Sequence, residues 1–146
     1  MGVTAIESNS LAPNLLATGS YDEHILIWDH RSLAVPLHDV GAGGGVWRLR
    51  WHPRRPDVLL AACMHGGLRV IRVGEGFILV LCARLAALAI IGPYVPSCRI
   101  SSSFLDHQSM TYGADWSRAV PRDEGCTLVG SCSFYDHVLH LWYALP

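Results

Sequence analysis

Residues 15–29, LLATGSYDEHILIWD, contain two short apolar runs on either side of a polar turn, which is the pattern of a β-hairpin. Residues 15–18 form a short apolar run that ends at Gly19 and Ser20, as a buried strand does. The polar residues at 21–23 predict a turn, and residues 25–28 return to β-branched and aromatic side chains. An isolated hairpin of this size is only marginally stable in water, so we expect related hairpins to pack against it.

The hairpin pattern recurs twice along the chain. The segment LLAACMHGGLRVIRV at 59–73 aligns without a gap and places Arg72 at the position of Trp28, an offset of 44 residues. The segment LVGSCSFYDHVLHLW at 128–142 places Trp142 there, an offset of 114 residues. Another predicted strand precedes each hairpin, at 3–8, 46–53 and 111–117. A repeat of about 40–45 residues with a terminal Trp-Asp is typical of WD-type propeller blades.

We therefore predict an all-β fold, an incomplete WD-repeat β-propeller of about three blades that forms a single domain over residues 1–146. The blades are predicted at about 3–40, 46–73 and 110–143, with a non-repeat apolar insertion at 74–105. A propeller usually has at least four blades around its channel. We therefore expect the chain to be a fragment of a longer propeller.

The predicted insertion contains the most apolar stretch of the chain, FILVLCARLAALAII at residues 77–91. The stretch is shorter than the ~20 residues of a membrane-spanning helix. Arg84 lies at its centre, where a charge costs about 2.5–3.5 kcal/mol. We therefore predict no membrane span. Two interpretations remain: an outer strand of the second blade followed by a helical insertion, or a segment of foreign origin from altered splicing.

The overall composition argues against several classes of protein. A formal net charge of −1 does not suit a nucleic-acid groove, which needs an excess of basic residues. The five cysteines lack the spacing of a disulfide framework, which indicates reduced thiols. The first ten residues lack the basic flank and apolar core of a signal peptide. Together these features predict a cytoplasmic protein.

Charged residues on the inner strands are the first candidates for function, because inner strands line the channel of a propeller. Arg50 and Asp115 hold equivalent positions on consecutive inner strands, each directly before a tryptophan. Either the two side chains pair between blades, or Arg50 contacts a substrate in the channel. Asp22 and Asp136 lie in hairpin turns, where an aspartate commonly bonds the backbone, and we predict that structural role for both.

Cys63 and His65 form a second candidate pair, two residues apart at the end of a strand. A cysteine and a histidine can act as nucleophile and base. They can also begin a zinc site with Cys132 and His137, although the spacing departs from that of structural zinc modules. In the third interpretation Cys63 is a small buried hydrophobe, as most free cysteines are. We predict neither a metal nor a cofactor.

Five segments resemble one particular family of WD-repeat proteins. They are LLATGSYDEHILIWDHR, GGGVWRLRWHP, LLAACMHGG, YGADWS and SCSFYDHVLHLW. In this order they are similar to the C-terminal blades of the diphthine methylesterases, also called diphthine methyltransferases, of diphthamide biosynthesis. The resemblance covers residues 12–73 and 110–142 and does not extend over 74–105.

The resemblance implies a carboxylic ester hydrolase that removes the methyl ester of methylated diphthine on translation elongation factor 2 and releases methanol. We assign His65 as the candidate base, Asp115 as its orienting carboxylate and Arg50 as the cation that stabilises the oxyanion. Elongation factor 2 is the expected partner, and neither nucleic acid nor a membrane is expected. The alternative is a non-catalytic WD-repeat interaction scaffold. The two functions differ in whether His65, Asp115 and a nucleophile converge within hydrogen-bond reach.

Overall fold

The computed structural model describes residues 2–74, 97–120 and 125–145 of the chain. Their regular structure consists of β-strands. The strands are β1 (Val3–Ser8), β2 (Leu15–Ser20), β3 (His24–Asp29), β4 (His38–Gly41), β5 (Arg48–Trp51), β6 (Val58–Ala62), β7 (Leu68–Arg72), β8 (Arg99–Phe104), β9 (Thr111–Trp116), β10 (Thr127–Ser133) and β11 (Leu139–Ala144). No helix in the described ranges is long and apolar enough to cross a membrane. The apolar stretch at 77–91 lies outside those ranges.

The strands form three antiparallel sheets in the order of the chain. Their strand orders are β1-β2-β3-β4, β5-β6-β7-β8 and β9-β10-β11. The strands β1, β5 and β9 are the inner strands of their sheets, and β5 contacts both of the others. This arrangement confirms the all-β, blade-by-blade fold predicted from the repeat. We number the sheets as blades 1, 2 and 3.

The outer strand of blade 2 comes from within the predicted insertion. Strand β8 pairs with β7 from Leu68↔Phe104 to Arg72↔Arg99, although the sequence prediction assigned all of 74–105 to non-repeat sequence. The segment RISSSF is rich in small polar residues and mostly exposed. An outer strand of this kind needs no apolar alternation, because neither of its faces is buried in a core. The apolar pattern therefore gave no signal for it.

The pairing of the strands also corrects the alignment of blades 1 and 2. Leu16 pairs with Trp28, and Leu59 pairs with Ile71. Trp28 therefore corresponds to Ile71, at an offset of 43, and not to Arg72. The shared letters Leu-Leu-Ala at 15–17 and 59–61 favour the slipped alignment. The single-residue difference matters because it exchanges the two faces of the sheet.

Two apolar clusters hold the three blades together. The first packs blade 1 against blade 2 and includes Ile25, Ile27 and Leu49. The second packs blade 2 against blade 3 and includes Leu60 and residues of β9 to β11. Every residue of β6 is at most 1% exposed, because the strand faces both clusters. Burial on both faces explains the 51% content of hydrophobic residues.

The glycine-rich segment 41–45 connects blade 1 to blade 2 through a close backbone contact. A Cβ atom on Gly44 would lie 2.2 Å from the carbonyl oxygen of Cys63 and 2.6 Å from the nitrogen of Gly66. Gly43 has φ +74°, in the left-handed region that favours glycine. The run of glycines is therefore required where the connection packs against the β6–β7 turn.

Candidate functional site

Indole hydrogen bonds set the inner strands side by side. Trp51 Nε1 donates to the carbonyl oxygen of Glu7 at 3.1 Å, and Trp116 Nε1 donates to the carbonyl oxygen of Arg50 at 3.0 Å. Each of these two tryptophans thus bonds the inner strand of the preceding blade. The bonded residue there is the one just before the position equivalent to the tryptophan itself. The side chains of Glu7, Arg50 and Asp115 consequently occupy matching places on three neighbouring inner strands.

Arg50 lies between two carboxylates of the neighbouring blades. Its Nη1 donates to Glu7 Oε2 at 2.9 Å, whereas its Nε is 4.0 Å from Asp115 Oδ1. The predicted partner, Asp115, is thus the more distant of the two, and the sequence analysis missed Glu7. The signal for Glu7 was its place one residue before the end of β1, which matches the place of Arg50 in β5.

A cleft of about 760 Å³ opens at this end of the inner strands. We call it the charged cleft; its charged lining residues are Glu7, Arg50, Arg54, Asp115 and Arg118. The side chain of Asp115 is 65% exposed, compared with 32% for Arg50 and 28% for Glu7. The cleft therefore presents a guanidinium and an accessible carboxylate to a ligand, which are the groups that oxyanion stabilisation and proton transfer require.

His65 does not join this site. It is exposed in the turn between β6 and β7, where the adjacent Met64 forms a bridge to Thr111 at the start of β9. Asp115 lies four residues further along β9, roughly 13 Å away at the rise of an extended strand. The structure therefore brings Arg50 and Asp115 together but does not bring His65 to Asp115, and the expected base–carboxylate pair does not form.

Cys63 is a core residue rather than a reactive thiol. It is fully buried in the cluster between blades 1 and 2, and burial raises the pKa of its thiol to about 12. The thiolate that would act as a nucleophile is thus disfavoured. Within the described ranges, no three His, Cys, Asp or Glu side chains are placed to hold a metal ion together, so the zinc interpretation has no support there.

The hairpin-turn aspartates bond backbone groups, as predicted. Asp22 Oδ1 accepts from the N–H of His24 at 3.3 Å, and Asp136 Oδ1 accepts from the N–H of Val138 at 3.4 Å. The hydroxyl of a nearby serine, Ser20 for Asp22 and Ser133 for Asp136, has the largest effect and lowers the pKa of each carboxyl group. The backbone bonds lower the pKa further. Both aspartates therefore stabilise turns.

A buried histidine joins blades 2 and 3. His52 Nδ1 accepts from the N–H of Arg54 at 3.1 Å, so its Nε2 carries the proton and donates to Thr127 Oγ1 at 2.9 Å. The ring also packs edge-on against Trp116, with 4.8 Å between ring centroids. Burial lowers the pKa of His52 to about 4. The imidazole is thus neutral at pH 7 and structural.

A serine–histidine–aspartate cluster in blade 3 lacks the order of a nucleophilic triad. His107 bonds Ser133 Oγ at 2.8 Å and Ser131 Oγ at 2.9 Å through its two ring nitrogens. Asp136 accepts from Ser133 rather than from the histidine, so it does not orient the imidazole as a triad carboxylate does. Trp142 Nε1 also donates to Ser131. The sequence analysis did not identify this network, which ties the connection before β9 to β10 and β11.

At the other end of the inner strands, four aromatic side chains are in contact. Trp47 meets Tyr112 edge-on at 4.9 Å, Tyr112 meets Phe134 at 5.5 Å, and Phe134 meets Tyr135 at 5.1 Å between ring centroids. Trp47 is 41% exposed, Phe134 59% and Tyr135 68%. We call this group the aromatic surface. It lies on the side of the hairpin turns, away from the charged cleft.

Comparison with known proteins relates most of the chain to one group of proteins. No family model matches the chain. The chain is 41% identical over 117 residues to diphthine methyltransferase from Homo sapiens, covering 80% of this chain and 23% of that protein. It is 36% identical over 143 residues to the diphthine methyltransferase homolog from Dictyostelium discoideum, covering 97% of this chain and 35% of that protein. This chain is a homologue of the diphthine methyltransferases.

The chain thus spans about a quarter to a third of the length of these two relatives. The protein from Schizosaccharomyces pombe named diphthine methyltransferase is 32% identical, and this chain covers 37% of its length.

Two solved structures support the fold. They are a chain of the mitotic checkpoint complex, with a TM-score of 0.65 and 17% identity over 99% of this chain and 36% of that one, and the computationally designed Ika8 protein, with a TM-score of 0.60 and 18% identity over 97% of this chain and 33% of that one.

Proposed function

We propose that this chain acts in diphthamide biosynthesis by hydrolysing the methyl ester of methylated diphthine on translation elongation factor 2, a carboxylic ester hydrolase reaction in the cytoplasm. The similarity to proteins named diphthine methyltransferase supports the pathway. The placement of Arg50 beside Asp115 in an accessible cleft carries the proposed chemistry.

Ester hydrolysis places two demands on this cleft. Water adds to the ester carbonyl and gives up a proton, negative charge develops on the carbonyl oxygen, and the C–O bond to the methoxy group then breaks to release methanol. A base must accept the proton, and a cation or N–H donor must stabilise the oxyanion. The product keeps one oxygen atom from water in its carboxylate.

Asp115 and Arg50 are the residues proposed for these two tasks. Asp115 Oδ1 accepts from the N–H of Trp116 at 2.8 Å, which leaves Oδ2 to accept a proton from water. Arg50 is held through Nη1 by Glu7, so its guanidinium is positioned before a ligand binds. Such pre-organised charge is what stabilises a developing oxyanion most effectively. His65, expected as the base from the sequence, has only its sequence assignment in its favour.

The test is hydrolysis in water enriched in ¹⁸O. Elongation factor 2 carrying methylated diphthine is incubated with this chain, and the human relative serves as a parallel reaction. The proposal predicts loss of the methyl group as methanol and one ¹⁸O atom in the new carboxylate. Methyl loss without ¹⁸O would indicate transfer to another acceptor, and an unchanged substrate would leave this chain without the activity. Either result contradicts the proposal.

A non-catalytic scaffold is the second candidate function. The aromatic surface and the separation of His65 from Asp115 favour it. Tyrosine, tryptophan and phenylalanine are enriched in protein interfaces, and three of the four rings here are well exposed. A scaffold would bind elongation factor 2 without methanol release. Replacing Phe134 with serine would weaken that binding, whereas Arg50→Ala in the charged cleft would leave it unchanged.

A further inference from the structure

The loops that follow β5 and β9 each carry an arginine to the edge of the charged cleft. Arg54 lies three residues after Trp51, and Arg118 lies two residues after Trp116. Both arginines are exposed and line the cleft. Because the two tryptophans hold equivalent positions on neighbouring inner strands, the loops start side by side. Blades 2 and 3 thus each place a guanidinium group at the edge of the cleft.

Hydrogen bonds hold these two loops together. Arg54 Nη2 donates to the carbonyl oxygen of Ala119 at 2.9 Å, and the backbone N–H of Arg54 donates to His52 Nδ1 at 3.1 Å. In the other loop, the N–H of Ala119 donates to Ser117 Oγ at 3.2 Å. The guanidinium of Arg54 therefore reaches from blade 2 to the residue that follows Arg118. The contact joins blades 2 and 3 and does not involve the outward faces of blades 1 and 3.

The two arginines lack an acidic partner in the described part of the chain. No carboxylate there forms an ion pair with Arg54 or Arg118, and Arg118 makes no hydrogen bond there either. Arg50, in contrast, is paired with Glu7. Like charges repel each other, so two unpaired cations on adjoining loops are stabilised when an anion lies between them. The pair is therefore placed to bind an anion.

The charge of the cleft indicates which anion fits. Its lining has three guanidinium groups, of Arg50, Arg54 and Arg118, and two carboxylates, of Glu7 and Asp115, which leaves one net positive charge. A carboxylate balances that charge, whereas a phosphorylated side chain brings about −1.5 to −2 and meets more repulsion from the two carboxylates. Arginine also presents a planar fork of N–H donors that matches a carboxylate. The site therefore favours a carboxylate.

We propose that Arg54 and Arg118 bind the carboxylate of an aspartate or glutamate side chain on the protein substrate. The ester group is uncharged, so its contact with Arg50 does not select the protein that carries it. A carboxylate beside the esterified residue does, because complementary charges give specificity. Arg54 and Arg118 thus select the substrate and take no part in the hydrolysis step. The identity of that protein as elongation factor 2 rests on the proposed function.

Binding of the substrate protein tests this proposal without relying on hydrolysis. Elongation factor 2 that carries methylated diphthine is titrated with the wild-type chain and with Arg118→Gln, and fluorescence anisotropy gives the dissociation constant. Arg118 has no partner among the described residues, so its replacement leaves the fold intact. The dissociation constant should rise about 2–5-fold, as expected for loss of one exposed ion pair. Arg118→Lys should regain part of the affinity, because lysine keeps the charge but lacks the fork.

Arg99→Gln is the matched control. It removes the same charge from an exposed residue at the start of β8, at the same end of blade 2 but outside the lining of the cleft. Its dissociation constant should equal that of the wild type. An equal loss of affinity in Arg99→Gln would show that only the overall charge matters, and it would overturn the proposal.

NMR of the arginine Nε–Hε groups adds a measurement on the chain alone. Acetate, the probe, should shift the signals of Arg54 and Arg118 to saturation, at lower concentrations than phosphate does at equal ionic strength. No shift with acetate, tighter binding of phosphate or an unchanged affinity in Arg118→Gln would overturn the proposal. A loss of affinity confined to the de-esterified protein would also overturn it, because the product carboxylate would then be the ligand. The expected binding results without methanol release would support this site and contradict only the proposed reaction.

Discussion

His52 should make the stability of the chain depend on pH below neutrality. Its pKa is lowered from 6.5 to about 4 by burial between blades 2 and 3. As the pH falls below 6.5, the unfolded chain takes up a proton that the folded chain excludes, so the free energy of unfolding decreases until the pH passes about 4. At about 1.4 kcal/mol per pH unit, the loss amounts to about 3 kcal/mol.

The assay is urea unfolding at fixed protein concentration between pH 7.5 and 4, for the wild type and for His52→Gln. Glutamine retains a donor for Thr127 but does not titrate. As the pH falls over this range, the wild-type free energy of unfolding should therefore decrease by about 3 kcal/mol relative to that of His52→Gln. The matched control is His30→Gln at an exposed site, which should follow the wild-type curve. A wild-type-minus-His52→Gln difference that is constant with pH would refute the reasoning.

Two further predictions concern the charged cleft and the first core. Double-mutant cycles should give Arg50 a coupling energy of about 0.5–1 kcal/mol with Glu7, because the pair is partly exposed. The coupling energy with Asp115 should be smaller, because the distance is 4.0 Å compared with 2.9 Å for Glu7. A larger coupling with Asp115 would contradict this ranking. Cys63 should resist a thiol reagent in the native chain, because burial raises its pKa to about 12, while the exposed Cys132 reacts; equal native-state rates would show that Cys63 is accessible.

The repeat and the blade order could be predicted from the sequence because each hairpin has two apolar strands around a polar or glycine-containing turn, and each of the last two inner strands has its own tryptophan. The exact register between blades 1 and 2 could not be predicted. The shared Leu-Leu-Ala at 15–17 and 59–61 favours an alignment that is wrong by one residue, and only the pairing of the strands reveals the error. Strand β8 was missed because an exposed outer strand of serines has no apolar pattern to detect. The limit in each case is that pairing between strands, unlike alternation within one, depends on distant residues.

The candidate site, too, could be predicted from the sequence only in part. Arg50 and Asp115 could be related from the sequence, because both precede a tryptophan on an inner strand. The nearer partner of Arg50, Glu7, precedes Ser8, so the same rule did not find it. His65 and Asp115 were joined by chemical type alone, and the strand β9 separates them along its length. The type of two residues does not indicate how far apart their side chains lie along a strand.

The reaction assigned to the charged cleft is tested most directly by comparing two variants in the ¹⁸O hydrolysis assay. Asp115→Asn removes the proposed base and should slow methanol release by about 10²–10⁴-fold. His65→Ala lies at the opposite end of the inner strands and should release methanol at the wild-type rate. Loss of activity in His65→Ala together with normal turnover in Asp115→Asn would contradict the account and place the reaction at the other end of the inner strands.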